Sequence, residues 1–327
     1  MFLVLRSMIR VALMNRHYED TFAELTGHTV YGVVAWCLRG KRDYKSAHPV
    51  LLWFFPAYIL LLIVVYFLGS MIAFAMLYWG TRAVPGWHAA FIASGSGLNT
   101  LGFATPSTKI GQWIAIPEGA LGLGIVVFLF TFIPGYQTVI RSREDKTAWL
   151  YGRIGDDPTG LGLLEWCQRA GVMGEMNGVW ESWESWFRML RDTHSVLPML
   201  SMSPSVQSGQ SWIIAAAAVL DAAALTTSTL DAPSREAARV CAQTGTRALR
   251  AIAEALGYQS AGCSRTGVSR DVYDAACARL AAAGMRLKAD GPASCAEFVA
   301  WRVQYEDVLV YLCRQTFSPL DGTFFHV

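Results

Sequence analysis

The sequence predicts an all-α membrane protein. Two membrane-spanning helices flank a short re-entrant helix, and an all-helical cytoplasmic domain follows. Three observations carry this. The chain is 53% hydrophobic and only 16% charged, whereas soluble chains carry about 25% charged residues. Two runs, Pro49–Gly80 with no charged residue and Trp113–Ile140 broken only by Glu118, are long enough to cross a hydrocarbon core of about 30 Å. Beyond Leu161, apolar residues recur at spacings of three and four, and no period-two alternation competes.

In chain order, Met1–Asn15 is apolar with Arg6 and Arg10 on one helical face. It is too short to span, so it reads either as an interfacial amphipathic helix or as the remnant of a longer span. Met14 is followed by Asn15-Arg16-His17, which is no signal-peptide cleavage site. Glu19–Gly40 is partly helical, with Tyr31 and Trp36 suited to a membrane boundary, and ends in the basic cluster Arg39–Lys45. The first span then runs to Gly80, with Trp53 at one end and Tyr78 and Trp79 at the other as aromatic belts. The second is richer in glycine, with Gly119, Gly122, Gly124 and Pro134-Gly135.

Orientation follows from the basic residues. Arg39, Lys41, Arg42 and Lys45 precede the first span, and Arg141, Arg143 and Lys146 follow the second. The connector Thr81–Gln112 holds only Arg82 and Lys109. By the positive-inside rule both termini are cytoplasmic and the chain is a multi-pass hairpin in the inner (plasma) membrane. The domains are accordingly 1–48, N-terminal helices; 49–143, the transmembrane module; and 144–327, the helical cytoplasmic domain.

The cytoplasmic half opens with the turn Asp156-Asp157-Pro158-Thr159-Gly160 and a short helix Leu161–Ala170. Met176–Asp192 sets Trp180, Trp183, Phe187 and Leu190 on one face, as core. Trp212–Leu225 is apolar but short and contains Asp221, so it reads as a buried soluble helix rather than a third span. Ser234–Leu256, Ser269–Leu287 and Ser294–Cys313 follow, the last opening on a capping box, Ser294-Cys295-Ala296-Glu297. The seven cysteines form no CxxC pair and are expected as free thiols in a reducing cytosol.

The connector is far longer than a plain loop requires. Gly86–Ser94 is apolar and helical in character and, even if continued to Leu98, too short to cross; the polar, glycine-rich stretch Ser94–Pro106 carries on from it. A short helix with its partly negative C-terminal end aimed at a cation, then an extended return offering carbonyl oxygens, is what a re-entrant pore loop requires. The alternative is an ordinary exterior loop.

Thr100-Leu101-Gly102-Phe103-Ala104 resembles the TVGYG filter of pore-loop potassium channels, and Pro49–Arg143 resembles their two-transmembrane pore module. The cytoplasmic half is more loosely similar to a group of bacterial potassium channel family proteins. There a turn like Gly155–Gly160 leads into a Leu-Leu helix, a Trp-rich helix and a helix like Ser211-Trp212 through Asp221-Ala222. The resemblance implies a homotetramer in membrane lipid with potassium as the permeant ion. Thr100 would offer hydroxyl and carbonyl ligands, Leu101, Gly102 and Phe103 carbonyls, and Phe103 the supporting ring. Ala104 stands where the family has its second glycine, a position of costly backbone conformation, and Thr105 where an acidic residue follows. The motif therefore implies a cation pore without fixing potassium over sodium.

Other residues carry paired readings. Glu118 would either draw cations to the outer mouth or sit as a favourable charge in a first helical turn. Gly119, Gly122 and Gly124 would form a gating hinge or allow close packing. Pro134-Gly135 would widen the inner mouth or mark the membrane exit. His194 would sense pH or form a surface pair with Asp192. No GxGxxG, GxxxxGK[ST], HExxH or GxSxG accompanies a suitable strand, so no enzyme is expected, and neither is a cofactor. The first span has no arginine ladder, which argues against voltage sensing. The net charge of +2 says nothing about nucleic acid, and no nucleic-acid partner is expected. The rival to a channel is a membrane-anchored signalling or binding protein whose helical domain recognises a partner. The sequence does not name the ligand of that domain.

Overall fold

The computed structural model describes residues 21–41, 44–259 and 268–318. The expectations for Met1–Asn15, Arg42 and Cys263 lie outside the described residues. Within them all regular structure is helical, apart from an isolated bridge between Leu230 and Leu287. They fall into two compact units: the chain up to Cys37 with Trp53–Val139, and Leu38–Leu52 with the chain from Ile140 onward. Leu38–Leu52 thus groups with the second unit, where the sequence suggests a boundary after residue 48.

The first unit holds α1 (Thr21–Cys37), α3 (Phe54–Gly80), α4 (Gly86–Leu98) and the first part of α5 (Lys109–Ile154). The second begins with α2 (Tyr44–Leu51). Two stretches, Tyr44–Gly80 and Lys109–Ile154, are long and apolar enough to cross a membrane. At 1.5 Å per residue, the 27 residues of α3 extend about 40 Å. One side of α3, including Tyr58, Leu62, Tyr66 and Phe74, is buried. The other side, Leu60, Val64, Leu68, Ile72 and Met76, is equally apolar and exposed. A helix apolar all round suits a lipid surface or a deep core, and here the described residues leave one face uncovered. At its start, the Phe55 ring stacks on Tyr136 of α5 with centroids 3.7 Å apart. Pro134 lies within α5, which continues to Ile154 rather than ending there. It does so because Leu150 and Tyr151 enter the core of the second unit.

That core is built around α8 (Trp212–Ser228), whose residues are buried apart from Ile214. Around it pack α6 (Gly160–Arg169), α9 (Arg235–Ala255), α11 (Gly291–Arg302) and α12 (Glu306–Thr316). α7 (Met176–His194) packs on α9 and buries Trp180, Trp183, Trp186, Phe187 and Leu190, as its stripe predicts. α10 (Arg270–Ala282) completes the set. The expected single helix Ser294–Cys313 is in fact two, α11 and α12, separated by a turn at Val303–Tyr305. The capping box is not formed. Asp290 caps α11 instead, its carboxylate accepting from the Ala293 amide at 2.9 Å, and Ser294 is buried inside the helix. The six described cysteines are free. Burial pushes the Cys167 and Cys313 thiols up to about 12, so they stay inert.

Candidate functional site

The connector between the two long helices begins at Thr81, where α3 ends, and α4 rises from Pro85. Helix α4 then ends in a defined cap. The Thr100 amide donates to the Gly97 carbonyl at 3.0 Å and the Leu101 amide to the Ser96 carbonyl at 2.9 Å. These are the two bonds of a Schellman motif, whose left-handed position falls on Thr100, φ +56°. Glycine normally occupies that position, and a β-branched residue there is strained by about 1–2 kcal/mol.

A second left-handed residue, Gly102 at φ +71°, turns the chain again. The Gly102 amide donates to the Ser96 carbonyl at 3.3 Å and the Ala104 amide to the Ser96 hydroxyl at 3.0 Å. One buried serine therefore gathers the amides of Leu101, Gly102 and Ala104. Among the described residues, no hydrogen bond is accepted by a carbonyl of Thr100 through Ala104. Leu101 and Phe103 project outward, 67% and 71% exposed. Ala104 is outside the left-handed region, so the strain expected at that position lies at Thr100 instead. The return ends at Thr108, which caps α5 by accepting from the Gly111 amide at 3.2 Å and donates to the Ala83 carbonyl at 3.0 Å.

Behind this loop α4 lies directly on α5. A Cβ on Gly97 would stand 2.8 Å from Glu118 Oε2, and one on Gly122 only 1.8 Å from the Leu98 carbonyl oxygen. Gly122 therefore serves close packing. Gly124 and Gly135 face open space, with nothing near a built Cβ. Glu118 lies more than two turns inside α5 and is fully buried, neither at an exposed mouth nor in the first turn. Its carboxyl meets the Tyr78 hydroxyl at 2.6 Å and the Ser94 hydroxyl at 2.5 Å. Tyr78 is accordingly buried rather than part of an aromatic belt, while Trp53 and Trp79 are exposed. Sequence reasoning missed Ser94, Ser96 and Tyr78. The signal available was the pair of serines inside an otherwise apolar helix, where a hydroxyl needs a buried partner.

The second unit holds another buried polar node. Arg143 of α5 is fully buried, and its Nε donates to Glu144 at 2.8 Å. Its Nη2 donates to the Ser203 and Pro204 carbonyls at 3.0 and 3.2 Å, and Nη1 to the Leu200 carbonyl at 3.3 Å. Glu144 accepts from the Val206 amide at 3.2 Å, and Tyr151 from the Ser211 amide at 3.0 Å. The same loop accepts from α2: His48 Nε2 lies 2.7 Å from the Ser205 carbonyl, and the Tyr44 hydroxyl donates to Gln210 at 3.2 Å. Arg143 thus belongs to the protein interior, although its type and position suggest a free membrane-boundary charge.

His194 is buried beside this node, its Nε2 3.4 Å from Arg143 Nη1, and makes no surface pair with Asp192, which bonds Arg191. Burial, reinforced by the Arg143 charge, holds its imidazole well below the usual histidine range. The unfolded chain then takes up a proton near pH 6.5 while the folded chain does not. Stability is full above about pH 6.5 and falls below it by up to about 1.4 kcal/mol per pH unit. His194→Asn is expected to remove that share of the slope, read as thermal midpoints of both proteins at pH 7.5, 6.5 and 5.5. Equal slopes would show that His194 charges freely in the fold.

No protein-family model, curated protein or solved structure matches this chain.

Proposed function

We propose that the chain is a membrane cation channel, homotetrameric, with four copies of Thr100-Leu101-Gly102-Phe103-Ala104 forming the ion pathway. Potassium is the expected permeant ion. One loop cannot enclose a pore, because rings of carbonyl oxygens need several copies about an axis. The observation that carries the proposal is the division of labour in the loop. The amides of Leu101, Gly102 and Ala104 are turned back onto Ser96 and that of Thr100 onto Gly97, while among the described residues no donor reaches the carbonyls. Carbonyls in that condition are suited to replacing the water shell of a cation. Support also comes from the apolar outer surface of α5. Leu123, Val127 and Phe130 are exposed, Phe130 at 79%. Such a surface calls for lipid or further copies. In this reading α4 is the pore helix, α3 and α5 are the two spans, both termini are cytoplasmic, and the second unit holds or gates the tetramer through α5. Gly124 and Gly135, free of neighbours, are the positions left for any hinge.

The protein in potassium-loaded liposomes is expected to pass potassium and rubidium, and to run as a four-fold particle in detergent. A monomer with no flux of potassium, rubidium or sodium would overturn the proposal and favour the anchored binding protein. Thr100→Gly tests the filter assignment against a purely structural cap. It relieves the left-handed strain and is expected to raise stability by about 1 kcal/mol. It also removes the hydroxyl ligand and the Cβ, and flux or selectivity is expected to fall. A stabilised variant with unchanged conduction would sink the filter assignment.

A further inference from the structure

Glu118, Tyr78 and Ser94 come from three different helices and are all fully buried. Among the described residues no cation makes an ion pair with Glu118. The contacts can be counted in protons. Ser94 Oγ lies 2.9 Å from the Met71 carbonyl oxygen and 2.5 Å from Glu118 Oε1. The carbonyl has no proton to give, and the serine hydroxyl has one. If that proton goes to Met71, the contact with Glu118 lacks one. If it goes to Glu118, the Met71 contact is lost and the carboxylate keeps a charge with only hydroxyl partners.

A neutral carboxyl resolves the count. The Tyr78 hydroxyl donates to Oε2, a proton on Oε1 is donated to Ser94 Oγ, and the serine proton goes to Met71. Every polar atom is then paired, and no net charge is buried in an apolar module.

We infer that Glu118 is held as a neutral carboxyl and is a positioning residue, tying α3 and α5 to α4 directly behind the loop. The tie acts where α4 carries its cap. Ser94 lies two residues before Ser96, the residue that gathers the loop amides, and Gly97 abuts the carboxyl itself. A chain of three hydroxyl-type donors running from α5 and α3 through Ser94 into the Met71 carbonyl fixes the rotation of α4 about its axis. That rotation in turn sets where Ser96 presents its carbonyl and hydroxyl. The inference rests on the proposed channel only for its consequence on conduction; the protonation state stands independently.

Two measurements test it. In infrared difference spectra of the full chain in lipid at neutral pH, wild type against Glu118→Gln, a protonated carboxyl C=O band is expected in the wild type alone. A carboxylate band in its place would overturn the inference, whether or not the protein conducts. The second measurement compares variants. Glutamine can donate to Ser94 and accept from Tyr78 with no charge, so Glu118→Gln is expected to keep the wild-type thermal midpoint and ion flux. Glu118→Leu leaves Tyr78 without an acceptor and breaks the chain to Ser94. A loss of flux of about tenfold or more is expected, the scale of a buried donor left unsatisfied. Where Glu118→Leu fails to fold, Ser94→Ala interrupts the same chain with little change of volume and is expected to lower flux in the same direction. Glu118→Gln behaving like Glu118→Leu would show that the charge, not the hydrogen-bond tie, is what the site requires. A conducting wild type with an ionised Glu118 refutes this inference alone. A silent wild type with a neutral Glu118 refutes the channel alone.

Discussion

Gly122→Ala is expected to be the most damaging single substitution in the first unit. The added methyl would stand 1.8 Å from the Leu98 carbonyl oxygen, 2.8 Å from its carbonyl carbon and 3.2 Å from its Cα. All three are backbone atoms, so no side-chain rotation relieves the clash. Leu98 is also the last residue of α4, where the Schellman cap begins, so α4 has to lift from α5 or the cap has to open. Ordinary overpacking costs about 1–3 kcal/mol, and a clash between backbones belongs at or above that upper figure. The expected result is a large drop in thermal midpoint in detergent and, if the proposed channel holds, loss of ion flux. Gly124→Ala is the control. Its Cβ would meet nothing within 4 Å, and alanine favours a helix over glycine by about 1 kcal/mol. That variant is expected to fold at least as well as the wild type. If Gly122→Ala is tolerated, the close approach of α4 and α5 is wrong. If Gly124→Ala folds normally but conducts differently, Gly124 has a hinge role that its open surroundings permit.

The second large effect is expected in the helical unit, at Asp221. This carboxylate sits on the central helix α8 with no exposure. Arg302 Nη1 donates to both its oxygens, at 2.7 and 2.8 Å, and the Tyr305 hydroxyl donates to Oδ1 at 2.7 Å. Glu306 completes the group, 3.2 Å from Arg302 Nη2. Burial pushes the Asp221 carboxyl up from its ordinary range, while the Arg302 charge and the two donors pull the other way. Removing one partner leaves the other charge stranded in an apolar core. Asp221→Leu is expected to cost about 3–5 kcal/mol, read from denaturant or thermal unfolding of the full chain followed by tryptophan fluorescence. The double variant Asp221→Leu/Arg302→Met is expected to recover part of that loss, since a buried pair is often replaceable by apolar residues of like volume, while Tyr305 loses its Asp221 acceptor and Glu306 its Arg302 partner. A single variant as stable as the wild type would mean that water reaches Arg302.

These two sites show where sequence reasoning reached and where it stopped. Asp221 inside an alanine-rich run was legible as the mark of a buried soluble helix, because a lone acid rules out an easy membrane span. Its partner was not legible. Arg302 lies far along the chain, on a helix whose start and end the pattern misplaced, because Asp290 and not Ser294 supplies the cap. The tryptophan stripe of α7 was legible because a helix that covers a core on one side repeats its apolar residues every three or four positions. The two helices long enough to cross a membrane were legible for the opposite reason, since their runs are apolar on every side. That same uniformity hides which face of α3 meets protein and which is bare.

Glu118 and Arg143 illustrate the remaining gap. Both are charged-type residues near the ends of an apolar run, and such residues ordinarily mark the exit to water. Here α5, Lys109–Ile154, begins about a turn before the expected start and runs well past the expected end, and each residue lies in a buried setting.

The Ser94–Pro106 stretch, by its composition alone, determines that no helix runs through the connector, and α4 enters it only as far as Leu98. Glycines and polar residues after a short apolar helix favour a turn. The two long apolar runs determine that helices able to cross a membrane flank it. Tertiary structure alone decided that the left-handed strain falls on Thr100 rather than Ala104, that Ser96 collects the loop amides, and that Glu118 stands behind α4. The physical reason is range. Hydrophobicity and turn chemistry act over neighbouring residues and leave a pattern in the chain. A buried hydroxyl or carboxyl is satisfied by whichever group the fold brings within 3 Å, and in the Glu118 node those groups come from three separate helices.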